Sequence, residues 1–383
     1  MKKILFISHD ATRSGAPLYL LNLIQWFKDN YQIECLILLK SSGELYTSFA
    51  NSGPTLIWDA HYISSNFKNK IAAKIGYRNL EISYQNRIIK QIKSFKPDLV
   101  IANTVVSNKL AFLFKKSLAC PFVAIYHEMK FSAEFYYGEH LSKKYINLFD
   151  KIIVINQNIK EFLKTKFLIE SEKIIIIAPF ISLPPKKENL VVIKPEYKFN
   201  ILLSGFGGWQ KGFDLLGPLL AICKYKELGH LFSFTWVGHI PFKQMKMLEF
   251  ELSQIDACDL INFPGIVSDM SKYYMMASLL LLLSKEDSFP LTCIEAANYG
   301  IPILAFEKSG GINEFINRGG GVSVPFMDLN EIVNKIYLFA TDFGFYNEKS
   351  NIAQKLSTEY TIDKIAPQIL NVLFKTGISL QKK

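Results

Sequence analysis

The residues best equipped for chemistry lie between Ser284 and Glu295, in the run Ser-Lys-Glu-Asp-Ser-Phe-Pro-Leu-Thr-Cys-Ile-Glu. The apolar stretch Leu279–Leu283 before it reads as a buried strand, and a helix is expected from near Leu291, with Glu295 one turn in. Unpaired N–H groups at a helix start attract phosphate through hydrogen bonds and the positive end of the helix dipole. Carboxylates on either side of that start repel phosphate but accept hydrogen bonds from hydroxyls, which sugars and ribose supply. One loop therefore offers an anion cradle between two hydroxyl acceptors, which suits a nucleotide-sugar. The same residues also make an ordinary capped strand-to-helix turn, and the segment alone serves both readings.

Four other loops carry chemistry-bearing residues. In Ser8-His9-Asp10-Ala11-Thr12-Arg13-Ser14-Gly15-Ala16-Pro17, Gly15 allows close backbone approach and Pro17 suits a first helical position. A phosphate site and a plain turn both fit it; a Gly-x-Gly-x-x-Gly dinucleotide fingerprint is missing. Ser204-Gly205-Phe206-Gly207-Gly208-Trp209-Gln210-Lys211-Gly212 sets a lysine after a glycine-rich turn, where it could cover a diphosphate or simply be solvated. It is not a P-loop, because Gly212 stands where Ser or Thr belongs. His127-Glu128 ends a strand, with no metal-ligand spacing around it, and His9, His61, His140, His230 and His239 have weaker cases. Gly310-Gly311, before Ile312-Asn313-Glu314, forms a further anion-tolerant turn just downstream of the Asp287–Glu295 element.

The elements that must position these loops alternate throughout. Strands are expected at Ile4–Ser8, Ile33–Leu39, Thr55–Trp58, Asp98–Asn103, Phe122–Tyr126, Lys151–Ile155 and Lys173–Ala178. After a Pro-rich lapse, more follow at Phe199–Ser204, Phe232–Val237, Leu260–Phe263, Leu279–Leu283, Ile301–Phe306 and Val322–Val324. Helical patterns intervene, among them Ala16–Phe27 and Ile82–Phe95. This predicts an α/β fold of two Rossmann-like domains facing a cleft, with ligands at the strand carboxyl ends. The expected bounds are 1–182 for the first domain, 183–198 for a linker and 199–360 for the second. A final helix in 361–383 has no strand after it and is a candidate to pack across the boundary.

Composition narrows the class. The 383 residues are 49% hydrophobic and 20% charged, which describes a folded protein. A net charge of +10 favours anionic partners without choosing among phosphorylated substrates, lipid headgroups and nucleic acid. The start, Met1-Lys2-Lys3 and then Ile4–Ile7, imitates a signal peptide until His9, Asp10 and Arg13 end the apolar run. The run around Met275–Leu283 falls short of a membrane span. Five scattered cysteines without Cys-x-x-Cys spacing suit a reducing cytosol and argue against structural zinc. From 67 to 96 the basic residues Lys68, Lys70, Lys74, Arg78, Arg87, Lys90, Lys93 and Lys96 face only Glu81. That segment fits an anionic bilayer surface or a solvated helix face.

Together these residues resemble the GT-B glycosyltransferases, specifically glycosyltransferase family 4, over nearly the whole chain. The resemblance implies that Asp287 touches the donor sugar's hydroxyls and Glu295 the ribose. Backbone amides at Leu291 and Thr292, with Lys211, Gly310, Gly311 and the Gly15 loop, would hold the diphosphate. His127 would sit by the sugar near the reacting centre. It further implies a metal-independent hexosyltransferase that retains anomeric configuration, with no cofactor beyond the nucleotide-sugar co-substrate; no Asp-x-Asp motif is present. Two departures stand out. The first acid is Asp287 where the family usually has Glu, so Glu286 is the alternative contact; Asp is shorter by one bond, roughly 1.5 Å. The arginine that often precedes the lysine is absent from Phe206–Gln210.

The resulting expectation is a cytoplasmic glycosyltransferase of cell-surface polysaccharide biosynthesis, or one peripheral on the inner face of the plasma membrane. Its partners would be a nucleotide-sugar donor, a glycan or lipid-linked glycan acceptor and an anionic membrane surface. A nucleotide-sugar epimerase and a non-catalytic sugar-nucleotide sensor are the rivals. Nucleic-acid binding rests on net charge alone and ranks last.

Overall fold

The computed structural model describes residues 1–59, 77–182 and 198–383. The expected linker, apart from Lys198, lies outside the described residues, as do His61 and positions 67–76 of the basic segment. The chain divides into two compact units, Met1–Phe180 with Ile362–Lys383, and Ile181–Thr361.

In the first unit the described residues form a parallel sheet in the order β3-β2-β1-β4-β5-β6-β7. Its strands are β1 (Lys2–Ser8), β2 (Ile33–Leu39), β3 (Thr55–Ile57), β4 (Leu99–Asn103), β5 (Phe122–Tyr126), β6 (Lys151–Val154) and β7 (Ile174–Ile176). Helices covering both faces leave no polar side for these strands, so they read as unbroken apolar runs. Ile4, Leu5, Phe6 and Ile7 of β1 are fully buried in consequence. The helix Gly15–Asn30 turns Leu20, Leu23, Ile24 and Phe27 into the core at helical spacing. It starts at Gly15, so Pro17 is the third helical residue rather than the first. It is tolerated there because first-turn N–H groups have no intrahelical partner. The terminal helix Ile362–Phe374 buries Ile365, Ile369 and Leu373 in this same core, and the Trp26 indole N–H donates to Asp363 at 3.0 Å.

In the second unit a parallel sheet runs β10-β9-β8-β11-β12-β13. The strands are β8 (Phe199–Ser204), β9 (Phe232–Val237), β10 (Ile261–Gly265), β11 (Leu279–Leu282), β12 (Ile303–Phe306) and β13 (Gly321–Val324). β12 begins two residues later than expected. Pro302 has no N–H for the ladder, although its carbonyl accepts the Leu280 N–H at 3.0 Å. β7 is likewise shorter than its apolar run, because Ser171–Lys173 closes a 3-10 turn. Among the described residues no helix is long and apolar enough to cross a membrane.

Candidate functional site

An open parallel sheet binds ligands where its strand order reverses, outside the strand carboxyl ends. In the second unit that point lies between β8 and β11. The loop leaving β8 ends in the tight turn Trp209–Lys211, stopped by Gly212 at φ +72°. A Cβ on Gly212 would lie 2.0 Å from the Leu283 carbonyl oxygen, so only glycine lets this loop reach the end of β11. The Lys211 ammonium meets the Asp287 carboxylate there as an ion pair. Of the two acids that the sequence left open, Asp287 rather than Glu286 makes this ion pair.

The acidic loop is tied to the glycine pair that follows β12. Asp287 N–H donates to Ser309 at 2.7 Å, Gly311 N–H donates to Ser288 at 2.9 Å, and Asp287 and Gly310 form a parallel bridge. Lys285 N–H donates to Gln210 at 2.9 Å, which joins the acidic loop to the lysine loop. The Lys285 ammonium pairs with Asp214 over the Trp209 ring. Three loops from neighbouring strands are thus held as one platform, with Asp287 buried in it.

The helix Leu291–Asn298 rises from this platform. Its first backbone bond runs from Cys293 N–H to Pro290 at 3.0 Å, and the N–H groups of Leu291 and Thr292 stand before it. Glu295 follows one turn in, and the Tyr274 hydroxyl donates to its Oε2 at 2.6 Å. Burial raises the Glu295 carboxyl above its usual range, and the Tyr274 bond partly offsets this. Asp287 and Glu295 push the buried Cys293 thiol further up, and Lys211 opposes them. Desolvation lifts that thiol well above its ordinary value, so it is a neutral core group and not a nucleophile.

In the first unit the order reverses between β1 and β4. His9 follows β1, Asn103-Thr104 closes β4 and His127-Glu128 follows β5. The Asn103 side chain donates through Nδ2 to the Ala16 carbonyl at 2.9 Å, and its Oδ1 meets His127 Nε2 at 2.8 Å. Burial, with His9 nearby, lowers His127 to about 3, so this half-buried imidazole is neutral at physiological pH. The Glu128 carboxylate accepts the Val105 N–H at 3.2 Å and the His127 N–H at 3.2 Å. Desolvation still pushes Glu128 up to about 7. Thr104 is buried at φ +75°, ψ 156°, a conformation costing a β-branched residue about 1–3 kcal/mol, and its Oγ1 lies 3.3 Å from His9 Nδ1. Among the described residues, a Cβ on Gly15 would meet nothing within 4 Å beyond its chain neighbours and its own helix backbone.

The expected residues therefore fall into two groups. Lys211, Asp287, Leu291, Thr292, Glu295, Gly310 and Gly311 gather at the second sheet's reversal, with Glu286 adjacent in sequence. His127 and the Gly15 loop gather at the first. Sequence reasoning passed over Asn103, Thr104 and Tyr274. A polar Asn-Thr pair closing a wholly apolar strand was a usable signal for the first two; Tyr274, one aromatic among several in a short helix, gave none.

Two family models match this chain, Glycosyltransferase Family 4 over residues 15–183 and Glycosyl transferases group 1 over 187–355. An uncharacterized glycosyltransferase of Haemophilus influenzae is 28% identical over 225 residues, 58% of this chain and 61% of that one. The amylovoran biosynthesis glycosyltransferase AmsD of Erwinia amylovora is 24% identical over 276 residues, 66% of this chain and 71% of its own. A 41.2 kDa protein in the cps region of Klebsiella pneumoniae is 26% identical over 45% of each chain. The alignments thus span 61% of the Haemophilus protein and 45% of the Klebsiella protein. Among solved structures, Anabaena HepE in complex with UDP-glucose superposes with a TM-score of 0.76 at 18% identity, covering 98% of this chain and 100% of its own. The lipopolysaccharide outer core galactosyltransferase WaaB, in its apo form, gives 0.73 at 17% identity over 97% and 99%. At such identities these two likenesses bear on the fold alone.

Proposed function

We infer that this chain, which belongs to the glycosyltransferases of family 4 with the GT-B fold, moves a sugar from a nucleotide-sugar donor to a glycan or glycolipid acceptor in cell-surface polysaccharide assembly. The observation that carries this reading is the Lys211–Asp287 ion pair at the β8/β11 reversal, beside a helix start that presents amides and a carboxylate one turn in. An incoming diphosphate exchanges Asp287 for its own oxygens at Lys211 and takes the Leu291 and Thr292 N–H groups. Asp287 then turns to the hydroxyls of the donor sugar and Glu295 to those of the ribose. Charge building on the departing diphosphate is met by dipoles and an ammonium already in place, so little reorganisation is needed during reaction.

The first unit takes the acceptor in this scheme, with His127 by the sugar. Retention of configuration and metal independence belong to the same reading, supported by the family resemblance and by the Lys211 ammonium at the second sheet's reversal. The complex of HepE with UDP-glucose and the part of AmsD in amylovoran biosynthesis support a uridine-linked donor and a polysaccharide acceptor as the first to test. Residence at an anionic membrane face is supported by Arg87, Lys90 and Lys93, exposed on the helix Tyr77–Phe95. Sedimentation with anionic against neutral liposomes checks it, and equal partitioning removes it.

The deciding experiment incubates purified protein with a panel of nucleotide-sugars, with and without lipid-linked glycan acceptors, in the presence and absence of EDTA. Mass spectrometry and the anomeric proton coupling read the product. Acceptor-dependent transfer supports the assignment. Donor conversion without acceptor identifies an isomerase instead, and binding without any turnover a sensor.

A further inference from the structure

We propose that Asn103 is a positioning residue that holds His127 as the Nε2–H tautomer, so that Nδ1 is the nitrogen presented to a substrate hydroxyl. The Ala16 carbonyl can only accept, so the Asn103 group 2.9 Å away must be the amide nitrogen. The other end of the same amide, Oδ1, can then only accept, and it lies 2.8 Å from His127 Nε2. His127 Nε2 must therefore carry the proton, and a neutral imidazole with a proton on Nε2 has a lone pair on Nδ1. Burial keeps the ring from taking a second proton, since protonation is displaced to about pH 3.

His9 receives a parallel constraint from the next residue. Its Nε2 faces the Asp10 carboxylate at 3.4 Å, so its Nδ1 accepts the Thr104 hydroxyl at 3.3 Å. Side chains at consecutive strand positions ordinarily point to opposite faces. The left-handed turn at Thr104 lets Asn103 and Thr104 serve two histidines at the same sheet end. Glu128 clamps that turn by accepting the Val105 N–H, and Thr104 N–H donates to Ile125 at 2.8 Å. Both ring nitrogens of His9 are thereby occupied within the unit, whereas among the described residues His127 Nδ1 makes no hydrogen bond.

This assignment deepens the proposed function and rests on it only for the ligand. His127 acts as a hydrogen-bond acceptor that selects a hydroxyl, not as an acid or base of the reaction. The test begins with the whole wild-type protein, labelled with 15N-histidine and followed by NMR between pH 5 and 9. His127 should show a protonated Nε2, a bare Nδ1 and no titration in that range. Asn103→Asp, which still accepts the Nε2–H, should keep the tautomer and bring the ring into the titrating range. Asn103→Leu should release the tautomer and lower kcat/KM at least tenfold with kcat less affected. A wild-type His127 that titrates near its ordinary value, or carries its proton on Nδ1, overturns the proposal whatever the activity assays give. An unchanged tautomer in Asn103→Leu overturns it equally.

Discussion

Lys211→Met separates the two roles of the ion pair at the second sheet's reversal. Methionine keeps an apolar stem against Gly205, where a Cβ would come within 3.3 Å of Lys211 Cε, and removes only the charge. Asp287 then loses its cation while its side chain remains 12% exposed, against 27% for Lys211. Breaking a fully buried pair costs about 3–5 kcal/mol and an exposed pair about 0.2–1 kcal/mol. This pair lies between those limits, at about 2 kcal/mol, which lowers the melting temperature by about 4–8 °C for a domain of this size. Adding Asp287→Asn removes the stranded charge and should recover most of the lost stability.

Turnover should not recover with it. If Lys211 meets the diphosphate, each charge-assisted hydrogen bond lost is worth about 1.5–3 kcal/mol, or roughly a 10- to 150-fold fall in kcat/KM. Differential scanning fluorimetry on the two single variants and the double variant, with initial rates against nucleotide-sugar concentration, gives both quantities from the same preparations. Lys211→Met melting with the wild type refutes the burial argument. Return of activity alongside stability in the double variant refutes the assignment of Lys211 to the leaving group.

Gly212→Ala should be destabilised by about 1–3 kcal/mol from backbone strain alone, with further loss as the Lys211 loop leaves the Leu283 carbonyl, and chemical denaturation measures it. Tyr274→Phe removes the hydrogen bond that lowers the Glu295 carboxyl, so the acid limb of the kcat/KM profile should move to higher pH. An unmoved limb would show that Glu295 ionisation does not control donor binding. Glu128 is raised from 4.5 to about 7, so the folded protein holds a proton in that window which the unfolded chain has released. Stability should therefore fall as pH rises from about 4.5 to 7, and Glu128→Gln should flatten the fall in urea midpoints measured across the window.

Most of the architecture was legible because parallel strands covered on both faces must be continuously apolar. Runs such as Ile4–Ile7 and Leu279–Leu282 could hardly be anything else. Boundaries slipped where a local rule overrode hydrophobicity, as at Pro302, which cannot donate to a ladder, and at Gly15, where the helix starts before its proline. The second-unit residues were legible for a related reason. Charge set beside glycine at the end of an apolar strand has few purposes in a fold that binds ligands at strand ends.

Sequence by itself determined the fold class, the positions of the two loop clusters and the chemical types at each, since these follow from patterns within about a dozen neighbouring residues. Only the tertiary structure decided that Asp287 and not Glu286 meets Lys211, that Tyr274 holds Glu295, and that Asn103 dictates which nitrogen of His127 carries the proton. Those contacts join positions 76, 21 and 24 residues apart in the chain. Their geometry is set by strand order and by backbone turns at Gly212 and Thr104, which bring distant side chains within a hydrogen bond and leave no periodic trace in the sequence.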